Sequence, residues 1–336
     1  MSAVEPLRIG VLGAARIAGS AVVEPARTTG ARLVAVAARD EGRAKAFAAE
    51  HGVERVLGSY ADVVADPEVE AVYNPLANSL HGPWNLAAVE AGKHVLTEKP
   101  SASDATEAHD VRDAAVGAGV LVVEGFHYLY HPVARRLLNA AGSGELGELQ
   151  RVEISMVMPP PPDGDPRWSL ELAGGALMDV GCYGLHMHRM LGQFAGGEPT
   201  VTAAHGGERA GRPGVDEWLD IDLTFPSGLP GHVRTAMNAA ERDFSCRIVG
   251  SRGEAFAPSF VLPHLDDRVL LTVDGRQSVE ELGKRSSYTY QLEAFAAAVR
   301  GGEPVLTGAN DAVASAELID AVYRAAGFEP RPRASR

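Results

Sequence analysis

Leu7-Arg8-Ile9-Gly10-Val11-Leu12-Gly13-Ala14-Ala15-Arg16-Ile17-Ala18 reads as an apolar strand that turns through Gly13 into a helix of small residues. Gly13, Ala15 and Ala18 fall on the three positions of a dinucleotide-binding fingerprint, with alanine replacing glycine twice. A pyrophosphate needs such a turn tight and bare, so that backbone can approach it and the helix N-terminus can face its charge. A Gly/Ala-rich turn without a ligand is the competing reading; the strand-to-helix context favours the first.

Outward from that turn, apolar runs at 33–38, 71–73, 94–96 and 120–123 alternate with stretches of helical periodicity such as Trp84-Asn85-Leu86-Ala87-Ala88-Val89. Strict alternation of strand and helix predicts a parallel sheet covered on both faces. From about Gln150 the pattern changes. Strand candidates at 151–158, 217–225, 231–237, 244–249 and 268–273 follow one another across turns, and Leu219-Asp220-Ile221-Asp222-Leu223 alternates as an antiparallel strand with one covered face does. A final helical pair, 290–300 and 310–326, is expected on a domain seam or on the back of that sheet. With 336 residues, two domains are the default: an α/β dinucleotide-binding domain over 1–125, and an α+β substrate-binding and oligomerisation domain over 126–336 with a mostly antiparallel open sheet.

Composition narrows the function. A formal charge of -13 opposes binding to nucleic acid, which relies on Lys and Arg. Cys182 and Cys246 lack a CxxC or zinc spacing, and the eleven histidines include no HExxH, so no metal site is expected. No apolar run approaches membrane-spanning length and no leader is evident, which points to a cytoplasmic protein without a membrane partner.

Two positions bear on the cofactor and the chemistry. An acidic residue that would accept the adenosine ribose hydroxyls is expected about 20 residues after the fingerprint. Arg39 stands there, followed by Asp40. An arginine fork can grip a 2'-phosphate, which favours NADP over NAD, while the alternative is a solvated Arg39 beside a helix-capping Asp40. The fourth apolar run ends in Thr97-Glu98-Lys99-Pro100. Proline stops the ladder and restricts its predecessor, so Lys99 should be held stiffly at the carboxyl edge where ligands bind in open α/β sheets. Lysine occurs only at Lys45, Lys93, Lys99 and Lys284. A chain that otherwise prefers arginine places one of its few titratable ammonium groups at that edge.

The chain resembles the glucose-fructose oxidoreductase, inositol dehydrogenase and rhizopine catabolism family (Gfo/Idh/MocA). The likeness rests on the Gly13 turn, on Tyr73-Asn74-Pro75-Leu76-Ala77-Asn78-Ser79-Leu80-His81, on Glu98-Lys99-Pro100, and on Gly174-Gly175-Ala176-Leu177-Met178-Asp179-Val180-Gly181-Cys182-Tyr183. It is nearest to the branch holding glucose-fructose oxidoreductase, NADP-dependent D-xylose dehydrogenase and dimeric dihydrodiol dehydrogenase, where tyrosine replaces a histidine. The resemblance implies a Rossmann domain and hydride transfer at a carbinol or carbonyl carbon of a sugar, sugar derivative or cyclic polyol. Lys99 would touch the reacting oxygen and the nicotinamide ribose, Tyr183 would be the acid/base, and Asp179 its neighbour one helical turn earlier. Gly13, Ala15, Arg16, Ile17, Arg39, Asn78, His81, Glu98, Lys99 and Pro100 would line the cofactor, Pro100 through a cis peptide bond as in relatives. Relatives also imply a homodimer or homotetramer associated through the sheet.

A tyrosine titrates near 10, too high for an efficient base, and an adjacent ammonium would lower it. If 179–191 is helical, Asp179, Tyr183 and His186 share a face. His127 either faces substrate or is a buried, hydrogen-bonded histidine, and Trp168 either lies against a sugar ring or is a hydrophobic plug. Substrate-binding residues are thus expected among Lys99, His127, Trp168, Asp179, Tyr183 and His186. The rival functions are a dihydrodiol dehydrogenase on a non-sugar diol and a non-catalytic nicotinamide-binding sensor, the latter having no need of Lys99 with Tyr183.

Overall fold

The computed structural model describes residues 5–334, and the chain divides into two compact units. One runs to Phe126 and adds Tyr288–Ala314 and the residues from Arg333; the other comprises His127–Ser287 and Ser315–Pro332. A division into 1–125 and 126–336 therefore misses the return of the chain to the first unit. The physical reason is apolar: the helix Ser287–Gly301 gives Tyr288, Leu292 and Phe295 to a core built around the first strand.

In the first unit, β1 (Arg8–Leu12), β2 (Arg32–Ala37), β3 (Ala71–Asn74), β4 (His94–Thr97) and β5 (Val122–Glu124) form a sheet in the order β2-β1-β3-β4-β5. Its neighbours pair in parallel. Ile9 and Val11 enter one core with Ala18, Val22 and Phe295, while Leu12 enters the other with Val63, Val69, Ala88 and Val111. Both faces are covered, which is why these strands read as continuous apolar runs. Because all five run one way, the segments that follow β1, β2, β3 and β4 emerge at one edge. The order reverses between β1 and β3, the crevice where open parallel sheets receive ligands.

In the second unit, β6 (Leu149–Val157), β7 (Thr200–Arg209), β8 (Arg212–Thr224), β9 (Pro230–Ala236), β10 (Asp243–Gly250), β11 (Gly253–Ala257), β12 (Arg268–Val273) and β13 (Arg276–Glu281) order as β13-β12-β11-β10-β6-β9-β8-β7. The sheet is antiparallel except where β6 pairs with β9. Sequence periodicity finds five of these strands. It misses β7, whose Ala-Ala-His-Gly-Gly centre has no alternation, β11, which is short, and β13, an edge strand with every residue but one exposed. Among the described residues no helix is long and apolar enough to cross a membrane.

One polar cluster fixes the start of this unit's central helix. Asp216, at 0% exposure, accepts the Leu177 N–H at 2.7 Å and the Tyr323 hydroxyl at 3.0 Å, and pairs with Arg331. Arg331 also donates to the Gly174 carbonyl at 2.8 Å and the Gly214 carbonyl at 2.9 Å, with its guanidinium 4.0 Å from the Tyr323 ring centroid. Removing one partner of a buried pair leaves the other charge uncompensated, at about 3–5 kcal/mol. Arg331→Ala is accordingly expected to lower unfolding free energy by about that amount in urea titrations; a loss under about 1 kcal/mol, the level of an exposed pair, would show that the pair is dispensable.

Candidate active site

The carboxyl edge of the first unit's sheet begins at Gly13. Its φ is +88°, and a Cβ there would lie 2.9 Å from Leu76 Cδ2, so both backbone and space call for glycine. Its N–H donates to the Ala37 carbonyl at 2.7 Å, tying the turn to the end of β2. The helical segment Arg16–Ala18 has Ala15 at its N-cap without a side-chain hydrogen bond, so no side chain competes for the N–H groups of this turn. Arg16, Ile17 and Arg39 are exposed. Asp40 caps the helix Glu41–His51 through the Arg43 N–H at 2.7 Å, and the Arg43 guanidinium donates to the Ala14 carbonyl at 3.0 Å. Arg43 is a residue the sequence reading missed; its signal is a position one helical turn after Arg39. An uncapped turn too crowded for a Cβ, flanked by exposed guanidinium groups, fits a dinucleotide phosphate chain. Gly13, Ala15, Arg16 and Arg39 are the residues that would hold it.

At the ends of β3 and β4, side chains fix the backbone on both sides of Lys99. The Lys99–Pro100 bond is cis. His81 Nδ1 stands 2.6 Å from the Pro100 carbonyl and Nε2 stands 2.8 Å from the Leu76 carbonyl. Asn85 donates to the Ser101 carbonyl at 3.0 Å and accepts from Asn74 at 2.8 Å, while Glu124 accepts the Ser101 N–H at 2.7 Å. Glu98 accepts the Tyr73 hydroxyl at 2.9 Å. His81 and Glu98, both expected along the cofactor, are buried beside this turn, and the two ring nitrogens of His81 face carbonyls of two different loops. Lys99 and Asn78 are partly exposed.

In the second unit, the segment carrying Asp179 and Tyr183 opens as a π turn, Leu177–Gly181, and continues as the α-helix Cys182–Leu191. Tyr183 and His186 both pack edge-on against Tyr128, at 5.9 and 5.7 Å between centroids, and Asp179 Oδ2 pairs with Arg167 Nε at 2.7 Å. The hydroxyl of Tyr183 lies 3.2 Å from His127 Nε2, whose Nδ1 lies 2.8 Å from Ser287 Oγ. His186 is fully buried, with Nδ1 2.7 Å from the Tyr128 hydroxyl. Trp168 is 1% exposed, its indole N–H donates to the Pro161 carbonyl at 3.1 Å, and the Arg209 guanidinium lies 4.8 Å from its ring centroid.

Burial carries His81 down to about 4, against two carbonyls that act to raise it, so the imidazole is neutral near pH 7 and donates one N–H. With the folded value below the unfolded one, the folded protein gives up stability as pH falls from about 6.5 to about 4, by about 3 kcal/mol from this group. His188, also carried to about 4 by burial, acts in the same window and direction. Histidine NMR titration is expected to find His81 neutral at pH 5; a midpoint at or above the usual 6.5 would mean that the carbonyls outweigh burial.

A family model described as the Gfo/Idh/MocA oxidoreductase family with NAD-binding Rossmann fold matches residues 7–126, and one for the Gfo/Idh/MocA C-terminal domain matches 134–256. The chain is 35% identical over 324 residues to D-xylose 1-dehydrogenase (NADP(+)) 2 of Haloferax volcanii, covering 95% of this chain and 97% of that one. It is 31% identical over 320 residues to dTDP-3,4-didehydro-2,6-dideoxy-alpha-D-glucose 3-reductase of Actinomadura kijaniata, covering 94% and 95%. The crystal structure of a 3-ketoreductase from Actinomadura kijaniata in complex with NADP and TDP-benzene superposes with a TM-score of 0.88 at 29% identity, covering 95% of this chain and 98% of that one. With the Gly13 turn, the cis Lys99–Pro100 bond and these matches along almost its whole length, the chain belongs to the Gfo/Idh/MocA family of NAD(P)-dependent oxidoreductases.

Proposed function

We propose that the protein is an NADP(H)-dependent oxidoreductase that interconverts a carbinol and a carbonyl carbon of a sugar or sugar nucleotide, with Lys99 and Tyr183 handling the proton. The observation that carries this reading is the pair of prepared groups: Lys99 on a turn braced by His81, Asn85 and Glu124, and the Tyr183 hydroxyl bonded in a buried cluster. The relatives support the substrate class, since one is named for a free aldose and another for a dTDP-sugar ketone.

Bound nicotinamide would supply or accept the hydride. The protein's task is the proton. In reduction, the oxygen that gains negative charge takes a proton from the Tyr183 hydroxyl, and the Lys99 ammonium stabilises that oxygen by charge and hydrogen bonding. In oxidation, the same ammonium favours the phenolate that removes the hydroxyl proton. Arg39 and Arg43 provide the positive edge for a 2'-phosphate.

A panel of D-xylose, other aldoses, dTDP-sugars and trans-dihydrodiols, read through nicotinamide absorbance, is expected to give turnover with a sugar or sugar nucleotide; turnover confined to the dihydrodiols would overturn the substrate class. Lys99→Ala and Tyr183→Phe are each expected to lower kcat by about 10²–10⁴ while NADPH binding persists. The double variant should lose little more than either single one, as groups acting as a unit do. Full activity in both single variants would rule out the assigned roles. Arg39→Asp is expected to raise the KM for NADP(H) by about 10–100-fold, the loss of a charge-assisted contact, with little change for NAD(H); unchanged NADP(H) kinetics would remove Arg39 from the cofactor site.

A further inference from the structure

We infer that His127, oriented by Ser287, receives the phenolic proton of Tyr183 during turnover, so that a positioning chain stands behind the reacting hydroxyl; the inference rests on Tyr183 being the acid/base. Three segments far apart in sequence build it. His127 opens the 3₁₀ turn His127–Tyr130, Tyr183 belongs to the helix Cys182–Leu191, and Ser287 is the first residue of the helix Ser287–Gly301. The hydroxyl of Tyr183 is 3.2 Å from His127 Nε2, and His127 Nδ1 is 2.8 Å from Ser287 Oγ. His127 is 1% exposed and Ser287 fully buried, so bulk water does not compete for either contact. The Tyr183 and His127 rings meet edge-on at 5.8 Å between centroids.

The direction of the proton follows from what a base must do. To take a proton from a substrate hydroxyl, the Tyr183 oxygen must offer a lone pair to the substrate, so its own O–H has to point elsewhere. His127 Nε2, 3.2 Å from that oxygen, is an acceptor within hydrogen-bond reach. A neutral imidazole carries one N–H. If Nδ1–H donates to Ser287 Oγ, the Nε2 lone pair is left for the phenol. In oxidation the phenolic O–H bond breaks as Nε2–H forms, and the Tyr183 oxygen accepts the proton released by the substrate hydroxyl. In reduction the imidazolium returns its proton to the phenolate that has just protonated the product. The Nδ1–H bond to Ser287 is kept throughout, which keeps the ring in one orientation.

The test uses the full-length chain labelled with ¹⁵N-histidine, assigned by the signals lost in His127→Gln. His127 is expected as the Nδ1–H tautomer, with its Nε2 resonance displaced in Tyr183→Phe and the tautomer altered in Ser287→Ala. This readout needs no substrate; a wild-type Nε2–H tautomer overturns the inference. With NADP⁺ and D-xylose, His127→Gln is expected to lower kcat at least about 10-fold while KM stays within about 3-fold, and Ser287→Thr to retain turnover. Loss of turnover in Tyr183→Phe with kcat kept in His127→Gln would remove His127 and leave the phenol's role standing. Full turnover in Tyr183→Phe would overturn the acid/base reading itself, and this chain with it.

Discussion

The imidazole of His81, set between the carbonyls of Leu76 and Pro100, is the contact on which the carboxyl edge of the first unit's sheet depends. A parallel strand that stops leaves peptide groups without ladder partners, and β4 stops at Thr97, before a proline that has no N–H to give. Those groups lie where burial forbids water, so side chains must satisfy them. His81 stands between the loop after β3 and the turn after β4 and gives its single N–H to one of their two carbonyls, while Asn85 and Glu124 take the carbonyl and the N–H of Ser101. Lys99 therefore projects from a backbone whose neighbours on the C-terminal side are all held.

The second unit solves a related problem with charge. A helix that begins inside the protein exposes N–H groups that cost about 1–3 kcal/mol each if left unpaired. Asp216 takes the Leu177 N–H, and Arg331, close to the end of the described chain, neutralises Asp216. The position of Tyr183 is thus set by residues that follow it in sequence, one more than a hundred residues beyond. Along the π turn Leu177–Gly181 and the helix that follows it, Asp179 pairs with Arg167 and the Tyr183 hydroxyl lies against His127. Gly184 allows this helix to lie close on the sheet, for a Cβ there would come within 2.7 Å of Val233 Cγ1.

Arginine performs the structural pairing almost throughout, in Arg136 with Glu145 and Glu280 as in Arg331 with Asp216. Its fork holds two carboxylate oxygens and never deprotonates, which suits fixed contacts. A lysine ammonium is compact and bears no fork, so it can follow an oxygen whose charge changes during reaction. The chemistry proposed for Lys99 uses that difference.

Local sequence determined the parallel sheet, the strand-to-helix turn at Gly13, the cap at Asp40 and the stiff Glu98-Lys99-Pro100 turn, because each depends on residues within a few positions of one another. Five strands of the second sheet were legible for the same reason, through alternation. Strands β7, β11 and β13 were not, since they are held by neighbours across the sheet and not by an apolar pattern of their own. Only the tertiary structure decided that Ser287–Gly301 completes the first core, that His81 and Trp168 face inward, that Asp179 turns to Arg167, and that His127 stands against Tyr183 with Ser287 behind it. Side-chain partners separated by up to 160 positions leave no periodic trace; they are chosen by which polar groups burial leaves in need of a hydrogen bond.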